Sequence, residues 1–332
     1  MITRDLPLML GGLASLFGGR SSRFGTLIFH RVVPEPDPLQ PGEICAAQFD
    51  ELIGVLVRYF NILSAEEAIE AWQAGKLPPR TLVITFDDGY ADNFTIAYPI
   101  LRKHGVRALF FIASGYLDGG VMFNDAVIET VRRTELNELD LDWMGLGRYA
   151  LSTVAQRRTL IQTLLQRIKY LSLDGRCEAL DRLREEAAVA LPADLMLTTG
   201  QLRGLSGGGM AIGGHTTHHP ILAVLDEDQA MDEVVKNRLQ LADLLGEAPR
   251  FFAYPNGKPG TDYTAQNVRM IERAGYEAAF TTSWGSVGRE SGIYELPRFT
   301  PWERQPGRFC LRIAQNFLRV NAPQLATPAL AS

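Results

Sequence analysis

Two adjacent carboxylates, Asp87 and Asp88, directly follow the apolar segment 81–86, and a glycine follows them. Two neighbouring carboxylates in a confined place repel each other. The pair becomes tolerable when one carboxylate binds a divalent cation and the other stays free for proton transfer, as a metal hydrolase requires. The alternative is a plain Asp-Asp-Gly turn, because Asp and Gly favour turns for local backbone reasons.

Three of the five histidines of the chain lie close together, at His215, His218 and His219. His215 and His219 can bind a common ion if the turn between them is tight. With Asp88 they form an Asp-His-His set that leaves coordination positions open for water and substrate. We expect the side chain of His218 to point away from that ion. The alternative is that these are surface histidines without a ligand.

Strand-like segments alternate with helical patterns along the chain, which predicts an α/β fold with a parallel sheet. Segment 81–86 is continuous and β-branched, which is typical of a strand buried on both faces. In barrels of this class the active site lies where the strands end, and both motifs follow such ends. The predicted strands are 26–30, 81–86, 108–113, 210–215, 251–255 and 278–282.

The pattern changes to amphipathic helix between about 122 and 200, most clearly in 155–171 and 177–190. We interpret residues 122–199 as an inserted helical subdomain. It is a wall of the substrate groove, a surface for a partner, or a pair of solvated helices packed on the main domain, because surface loops accept insertions readily.

The composition is that of an ordinary globular enzyme. Hydrophobic residues are 46% of the 332 residues, which is ample material for the core of one large domain. A formal net charge of -5 argues against a nucleic-acid binder, which would normally display a basic surface. The three cysteines, Cys45, Cys177 and Cys310, form no close-spaced pair, so we expect no disulfide framework and a reducing, cytoplasmic location.

Two apolar segments lie near the ends of the chain. Segment 6–17 is too short to span a bilayer, and Asp5 beside the single preceding arginine makes a poor signal-peptide start. This segment and 308–319 could contact the inner face of a membrane, which would suit a lipid-linked substrate. Helices docked on the protein core are the alternative.

Three segments resemble, in order, the first three motifs of the NodB-homology polysaccharide deacetylases, also called carbohydrate esterase family four. They are TFDDG at 85–89, HTTHHP at 215–220 and FAYPNG at 252–257, and the resemblance covers roughly residues 26–300. It implies a distorted barrel of the (β/α)7 type with an inserted helical subdomain. We expect an N-terminal apolar segment (1–25), the barrel (26–121 and 200–305), the helical insertion (122–199), and a C-terminal helix and tail (306–332).

The resemblance also implies a role for each residue of the motifs. Carried over by position, Asp87 is the general base, and Asp88, His215 and His219 hold a divalent metal ion. Zn²⁺ is the first choice, and Co²⁺, Ni²⁺ and Fe²⁺ are alternatives that the ligand types also allow. A backbone N–H near Asn256 could stabilise the oxyanion of the transition state.

One departure from the family pattern concerns the arginine of the third motif, which holds the base aspartate in many members. Ala253 stands at that position in this chain. Arg298 follows a proline at an apparent strand start, so it could take the same role from another strand, and Arg250 is the competing candidate. A plain surface charge is the alternative interpretation of Arg298.

A second departure concerns the general acid, which in many members is a histidine near the carboxyl end. No histidine follows His219 in this chain. Segment 26–30 instead ends in His30 and resembles the opening Tyr-His motif of the subgroup that deacetylates bacterial exopolysaccharides such as poly-N-acetylglucosamine. The resemblance implies that His30 is the general acid. A hydrogen-bonded structural histidine is the alternative.

The sequence therefore predicts a metal-dependent hydrolase that removes N-acetyl groups from an amino-sugar glycan or its lipid-linked precursor, in exopolysaccharide or cell-envelope glycan metabolism. The first alternative is a metal-dependent amidohydrolase acting on a small amide or cyclic imide. A polymer would need an open groove with aromatic side chains such as Trp284 or Trp302. The second alternative is a non-catalytic carbohydrate-binding relative, which would be expected to have lost Asp87 or a metal ligand.

Overall fold

The β-branched segment Thr81–Phe86 forms a strand. The structure is a computed structural model that describes residues 23–300, 303, 305–317, 319, 324 and 325. All six residues of this strand are buried, as expected in a parallel sheet covered on both faces. In chain order the described strands are β1 Phe24–Phe29, β2 Val32–Val33, β3 Ile44–Cys45, β4 Asn61–Ile62, β5 Thr81–Phe86, β6 Leu109–Ile112, β7 Glu138–Asp140, β8 Arg148–Ala150, β9 Ala211–Gly214, β10 Phe251–Ala253 and β11 Ala278–Phe280.

The main sheet has the strand order β1-β5-β6-β9-β10-β11, and the short strand β4 also pairs with β5. Every pairing in this sheet is parallel. Phe29, the last residue of β1, lies beside Phe86, the last residue of β5. Because the strands end in register, the residues that follow them meet at one edge of the sheet.

The segment 296–299 joins the two ends of the curled sheet. The N–H of Leu296 donates to the carbonyl oxygen of Ala279 in β11 at 2.8 Å. The N–H of Phe299 donates to the carbonyl oxygen of Thr26 in β1, also at 2.8 Å. This segment therefore lies between β11 and β1, and with it the parallel, curled sheet and its surrounding helices form the predicted distorted (β/α) barrel.

The helices lie between and around these strands. The helical segments predicted at 155–171 and 177–190 are both observed as helices, and the first begins with a capping box in which Thr153 and Gln156 exchange hydrogen bonds. The described helices of four or more residues are α1 Ala46–Tyr59, α2 Ala65–Gln73, α3 Tyr98–Lys103 after a π-helical turn Asn93–Ala97, α4 Phe123–Arg133, α5 Val154–Ile168, α6 Leu173–Glu186, α7 Thr199–Gly207, α8 Glu227–Leu245, α9 Ala265–Arg273 and α10 Pro306–Phe317.

The region predicted as a helical insertion, 122–199, contains α4, α5 and α6 around a hydrophobic cluster of its own. Val127, Leu160, Leu164 and Leu183 are fully buried in that cluster. The region also contains an antiparallel pair, β7 and β8, which the sequence pattern did not predict. Strands of three residues are too short to show a period, so the sequence pattern indicated only the helices.

The C-terminal helix α10 packs its apolar side against the barrel. Phe309, Ile313 and Phe317 belong to the same buried cluster as residues of β1, β5 and β6. The apolar side chains of this segment are thus buried in the protein core. No helix in the described part of the chain is long and apolar enough to cross a membrane. Segment 6–17 and Trp302, both considered above, lie outside the described residues.

Candidate active site

Asp88, His215 and His219 form a compact group at the carboxyl ends of β5 and β9. Oδ1 of Asp88 lies 3.5 Å from Nε2 of His215 and 3.4 Å from Nε2 of His219. Donor atoms bound about 2.0–2.2 Å from one tetrahedral ion are separated by roughly 3.3–3.6 Å. Both distances from Asp88 therefore match those of donor atoms on a common metal ion, and all three donor atoms lie within 4.8 Å of one another.

The hydrogen bonds of this group also fit a metal ion. Nδ1 of His215 lies 2.7 Å from the carbonyl oxygen of Ala253, and a carbonyl only accepts, so Nδ1 carries the proton. The lone pair of Nε2 is then directed at the other two donors, the usual arrangement of a metal-binding histidine. Among the described residues, Oδ1 of Asp88 is buried without a hydrogen-bond partner. Buried polar atoms without a partner are rare in native proteins, and a bound ion would supply the partner here.

The protonation states of Asp88 and His219 suit metal binding at neutral pH. Burial alone would lower the pKa of His215, but Asp87 and Asp88 outweigh it and raise that pKa, so a metal ion bound there would replace the second ring proton. Burial alone would raise the pKa of Asp88, but His219 and His215 outweigh it and hold that pKa far below its usual value. Burial lowers the pKa of His219 to about 4, although Asp88 opposes the shift. At pH 7 Asp88 is therefore a carboxylate and His219 is a neutral imidazole, the forms that bind metal ions.

The backbone is strained at two of these residues and at Thr216 beside the third. Asp88, Thr216 and His219 have φ angles of +75°, +61° and +52°. Positive φ is uncommon outside glycine and is a genuine outlier for a β-branched residue such as Thr216. Each such residue costs on the order of 1–3 kcal/mol and persists only when its surroundings hold it. The turn from His215 to His219 is therefore held by its neighbours rather than by its own preference.

Asp87, the second carboxylate, is clamped by Arg298. Nη1 and Nη2 of Arg298 donate to Oδ1 and Oδ2 of Asp87 at 2.5 and 2.8 Å. Nε of Arg298 donates to the carbonyl oxygen of Thr281 at 3.0 Å, and the arginine is 0% exposed. Of the two arginines considered above, the structure brings Arg298 to the aspartate, whereas Arg250 pairs with Glu277 at the surface.

The clamp sets the charge of Asp87. Burial would raise the pKa of this carboxyl group, but Arg298 and then His215 outweigh burial and hold the pKa below its usual value. Oδ2 of Asp87 lies 3.8 Å from Nε2 of His215. The ionised carboxylate therefore stands beside the candidate metal ligands Asp88, His215 and His219, called the metal-binding group below. The arrangement offers a proton acceptor next to a site for a Lewis acid.

His30 lines a cavity of about 370 Å³ beside this pair. Arg298, Trp284 and Glu43 line the same cavity, and Trp284 is 40% exposed. The side chain of His30 is exposed, and its backbone carbonyl accepts a hydrogen bond from Asn93 at 2.8 Å. His30 is near enough to interact electrostatically with Asp87. Its imidazole therefore has access both to solvent and to the carboxylates.

Asn256 occupies the loop that follows β10. Its φ angle is +59°, and its carbonyl oxygen accepts a hydrogen bond from Oγ1 of Thr282 at 2.6 Å. Three residues earlier, the carbonyl oxygen of Ala253 accepts a hydrogen bond from Nδ1 of His215, so the loop adjoins the metal-binding group. The left-handed conformation explains why asparagine, which tolerates it better than most residues, stands at this position.

Sequence reasoning missed a buried polar network behind His30. Nε of Arg31 donates to Asp92 at 2.8 Å, and the hydroxyl of Tyr90 donates to Asp125 at 2.9 Å. Burial raises the pKa of Asp125 to about 7, although Arg31 opposes the shift. Asp125 lies on α4, so the 122–199 region contributes a residue that interacts electrostatically with Arg31 and Asp88.

His218 points away from the metal-binding group, as expected. Its side chain is half-exposed, and Nδ1 lies 2.7 Å from Oε1 of Glu233 on α8. Glu233 and Asn237, which both contact the turn 215–219, were also missed from the sequence. They lie four residues apart on one helix face, but ordinary surface pairs share that spacing, so it gave no distinct signal.

Comparisons with known proteins agree with this geometry. A family model described as "Polysaccharide deacetylase" matches residues 74–156 and 179–279, which together are more than half of the chain. The protein YxkH of Bacillus subtilis (strain 168) is 20% identical over 240 residues, covering 72% of this chain and 58% of that protein. The poly-beta-1,6-N-acetyl-D-glucosamine N-deacetylase of Staphylococcus aureus (strain MSSA476) is 25% identical over 167 residues, covering 46% of this chain and 54% of the relative.

Solved structures show the same fold. The deacetylase PplD of Streptococcus pyogenes, in complex with acetate, superposes with a TM-score of 0.58 at 19% identity, covering 87% of this chain and 97% of that one. IcaB from Ammonifex degensii gives a TM-score of 0.56 at 18% identity, covering 89% of this chain and 98% of that one. The chain thus matches whole structures of this fold, while it spans a little over half the length of the curated relatives above.

Proposed function

Because the chain belongs to the polysaccharide deacetylase family, we propose that it is a metal-dependent hydrolase that removes N-acetyl groups from an amino-sugar glycan or its lipid-linked precursor. One observation carries this proposal: the carboxylate of Asp87, which Arg298 holds, lies directly beside the three possible metal ligands Asp88, His215 and His219. The relative in Staphylococcus aureus is named for an N-acetyl-D-glucosamine polymer, which supports an amino-sugar substrate.

Each residue has a distinct task in this proposal. A divalent ion such as Zn²⁺, held by Asp88, His215 and His219, would supply Lewis acidity toward the acetyl carbonyl and toward water. Asp87 takes the proton of the attacking water, and Arg298 keeps both oxygens of that carboxylate oriented.

The remaining tasks concern the oxyanion and the leaving group. The backbone N–H of Asn256 stabilises the negative charge that develops on the acetyl oxygen. His30 gives a proton to the departing amine, which would otherwise leave as a poor, strongly basic anion. The exposed edge of the cavity beside His30 carries Trp284, whose ring can stack on a sugar.

Acetate release is the direct test of this function. We expect the purified protein to release acetate from N-acetylhexosamine oligomers or lipid-linked N-acetyl sugars, to lose activity on chelation, and to regain it with Zn²⁺, Co²⁺, Ni²⁺ or Fe²⁺. The panel should include a small amide and a cyclic imide. Turnover of only these small substrates would reject the glycan assignment, and full activity after complete metal removal would reject the metal.

His30 as general acid predicts a loss that depends on the leaving group. His30→Gln should lower kcat for the N-acetyl sugar by about 10²- to 10⁴-fold. The same variant should lose much less activity on p-nitrophenyl acetate, because p-nitrophenolate leaves without a proton. His104→Gln is a suitable control, since His104 follows α3 and pairs with Asp50. Equal losses on both substrates would show that His30 does not act as the acid.

A further inference from the structure

Helix α8 carries two polar residues, Glu233 and Asn237, on the side that faces the turn 215–219. They are four residues apart, so they lie one above the other on the helix. Asp232 and Lys236, one residue earlier in each case, pair with each other at the exposed surface instead. The helix thus has one polar pair directed at the metal-binding group and a neighbouring polar pair directed at solvent.

Asn237 fixes the start of the turn. It is fully buried, and its Oδ1 accepts the N–H of His215 at 3.1 Å. Its Nδ2 donates to the carbonyl oxygen of Ile112 at 2.9 Å and to Oγ of Ser114 at 2.8 Å. The side chain therefore ties the end of β6 to the first histidine after β9.

Gly214 is what allows Asn237 to come so close. A Cβ at this position would lie 2.7 Å from Oδ1 of Asn237 and 2.2 Å from the hydroxyl of Tyr276. Real Cβ atoms essentially never approach other atoms this closely. The glycine before His215 and the asparagine on α8 therefore form one arrangement.

Glu233 fixes the middle of the turn. Its Oε2 accepts the N–H of Thr217 at 3.0 Å and the N–H of His218 at 2.8 Å. Its Oε1 lies 2.7 Å from Nδ1 of His218. One carboxylate thus binds two consecutive backbone groups that stand between the two metal-binding histidines.

These bonds explain how the strained turn persists. Thr216 and His219, with their left-handed φ angles, flank the two N–H groups that Glu233 accepts. A backbone held in this conformation needs partners outside itself. The two residues on α8 are such partners, and they belong to a rigid helix of 19 residues.

We propose that Glu233 and Asn237 are positioning residues of the metal site, which hold the turn so that His215 and His219 converge with Asp88. This inference rests on the proposed function, because it assigns a purpose to the same site. Groups that bind and orient the metal ligands without touching the ion usually matter for metal affinity, and their loss typically lowers that affinity about 10- to 100-fold.

The test is a metal-binding titration of the full chain. Metal-free protein competes with a chromophoric chelator for Zn²⁺, and the Co²⁺-loaded protein is examined by its d–d absorption. Glu233→Ala should bind Zn²⁺ about 10- to 100-fold more weakly than the unaltered chain and show a changed Co²⁺ spectrum. Glu233→Gln should recover most of the affinity, because its amide oxygen can still accept both N–H groups.

Asp232→Ala is the matched control, since it removes a carboxylate from the same helix that contacts only Lys236 among the described residues. It should bind Zn²⁺ like the unaltered chain. Glu233→Ala with unchanged affinity and spectrum would overturn the inference while leaving the proposed function intact. An unaltered chain that binds no metal would overturn the proposed function, and this inference with it.

If Glu233→Ala does not fold, Glu233→Gln and His218→Ala decide the matter. His218→Ala removes the ring partner of Oε1 but keeps both backbone N–H groups that Oε2 accepts. We expect His218→Ala to keep its Zn²⁺ affinity within about 3-fold, well below the loss typical of a lost orienting group. A loss of 10-fold or more in this variant would show that the ring contact is decisive and would overturn the role given to the backbone bonds.

Discussion

Asp87→Asn is expected to reduce acetate release by about 10²- to 10⁴-fold while the protein keeps its metal. The amide of asparagine cannot take a proton at neutral pH, so the attacking water loses its base. The three donor atoms of Asp88, His215 and His219 remain in place. Activity and metal content, measured on the same preparation, therefore separate the base from the ligands.

The neighbouring variant Asp88→Asn provides the contrast. It removes a metal-binding oxygen, so it should lose both the metal and the activity. In Asp87→Asn, Arg298 loses the carboxylate that pairs with it, which can lower the stability of the protein. The folded fraction at the assay temperature must therefore be measured alongside the activity. Asp87→Asn that releases acetate at the original rate would remove Asp87 from the mechanism, and loss of metal equal to that of Asp88→Asn would make it a ligand instead.

The central strands could be predicted from the sequence because burial on both faces leaves a continuous apolar segment. Segment 81–86 is predicted and observed with the same bounds, and 210–215 appears as Ala211–Gly214. Since the motif residues follow these strands directly, the prediction of a shared catalytic edge depended only on the parallel arrangement. The order of the strands, in contrast, is not written in any local pattern.

The closing segment 296–299 shows where local patterns fail. It makes only isolated pairings with β1 and β11, so it has no strand-like period to detect. Arg298 and Asp87 are 211 residues apart in the chain, and only the closure of the sheet brings them together. The sequence offered Arg298 as one of two candidates, and the choice between it and Arg250 required the three-dimensional structure.

Glu233 and Asn237 were missed for a different reason. On an amphipathic helix, a glutamate and an asparagine are ordinarily taken as solvent-facing residues. Their partners are backbone groups of a turn, which carry no side-chain signature in the sequence. A polar residue that binds backbone groups is therefore hard to distinguish from one that binds water.

Arg298→Met should destabilise the protein by about 3–5 kcal/mol at neutral pH, because it leaves the carboxylate of Asp87 buried without its cation. In the unaltered chain the lowered pKa of Asp87 contributes stability that is present above the unfolded pKa and lost as pH falls through the folded value. In the variant, Arg298 no longer opposes the effect of burial on Asp87, so the pKa of that carboxyl group rises. Its stability should then decrease with rising pH, the opposite sign.

The same change should move the acidic limb of the pH–rate profile upward. A base with a raised pKa is protonated over more of the range, so kcat/KM falls most at low pH. Metal content should fall less than turnover, because Arg298 contacts none of the three donor atoms in the described bonds. An unchanged rate across the pH range would refute the clamp.

The double variant Asp87→Asn, Arg298→Met tests whether the two charges stabilise the barrel only as a pair. Each single change leaves one buried group without its partner, whereas the double change removes both charges at once. We therefore expect the double variant to be more stable than Arg298→Met, although it remains inactive. Denaturant unfolding of the four proteins gives the coupling free energy. Losses that add within about 0.5 kcal/mol would mean that Asp87 and Arg298 act independently, contrary to their bidentate contact.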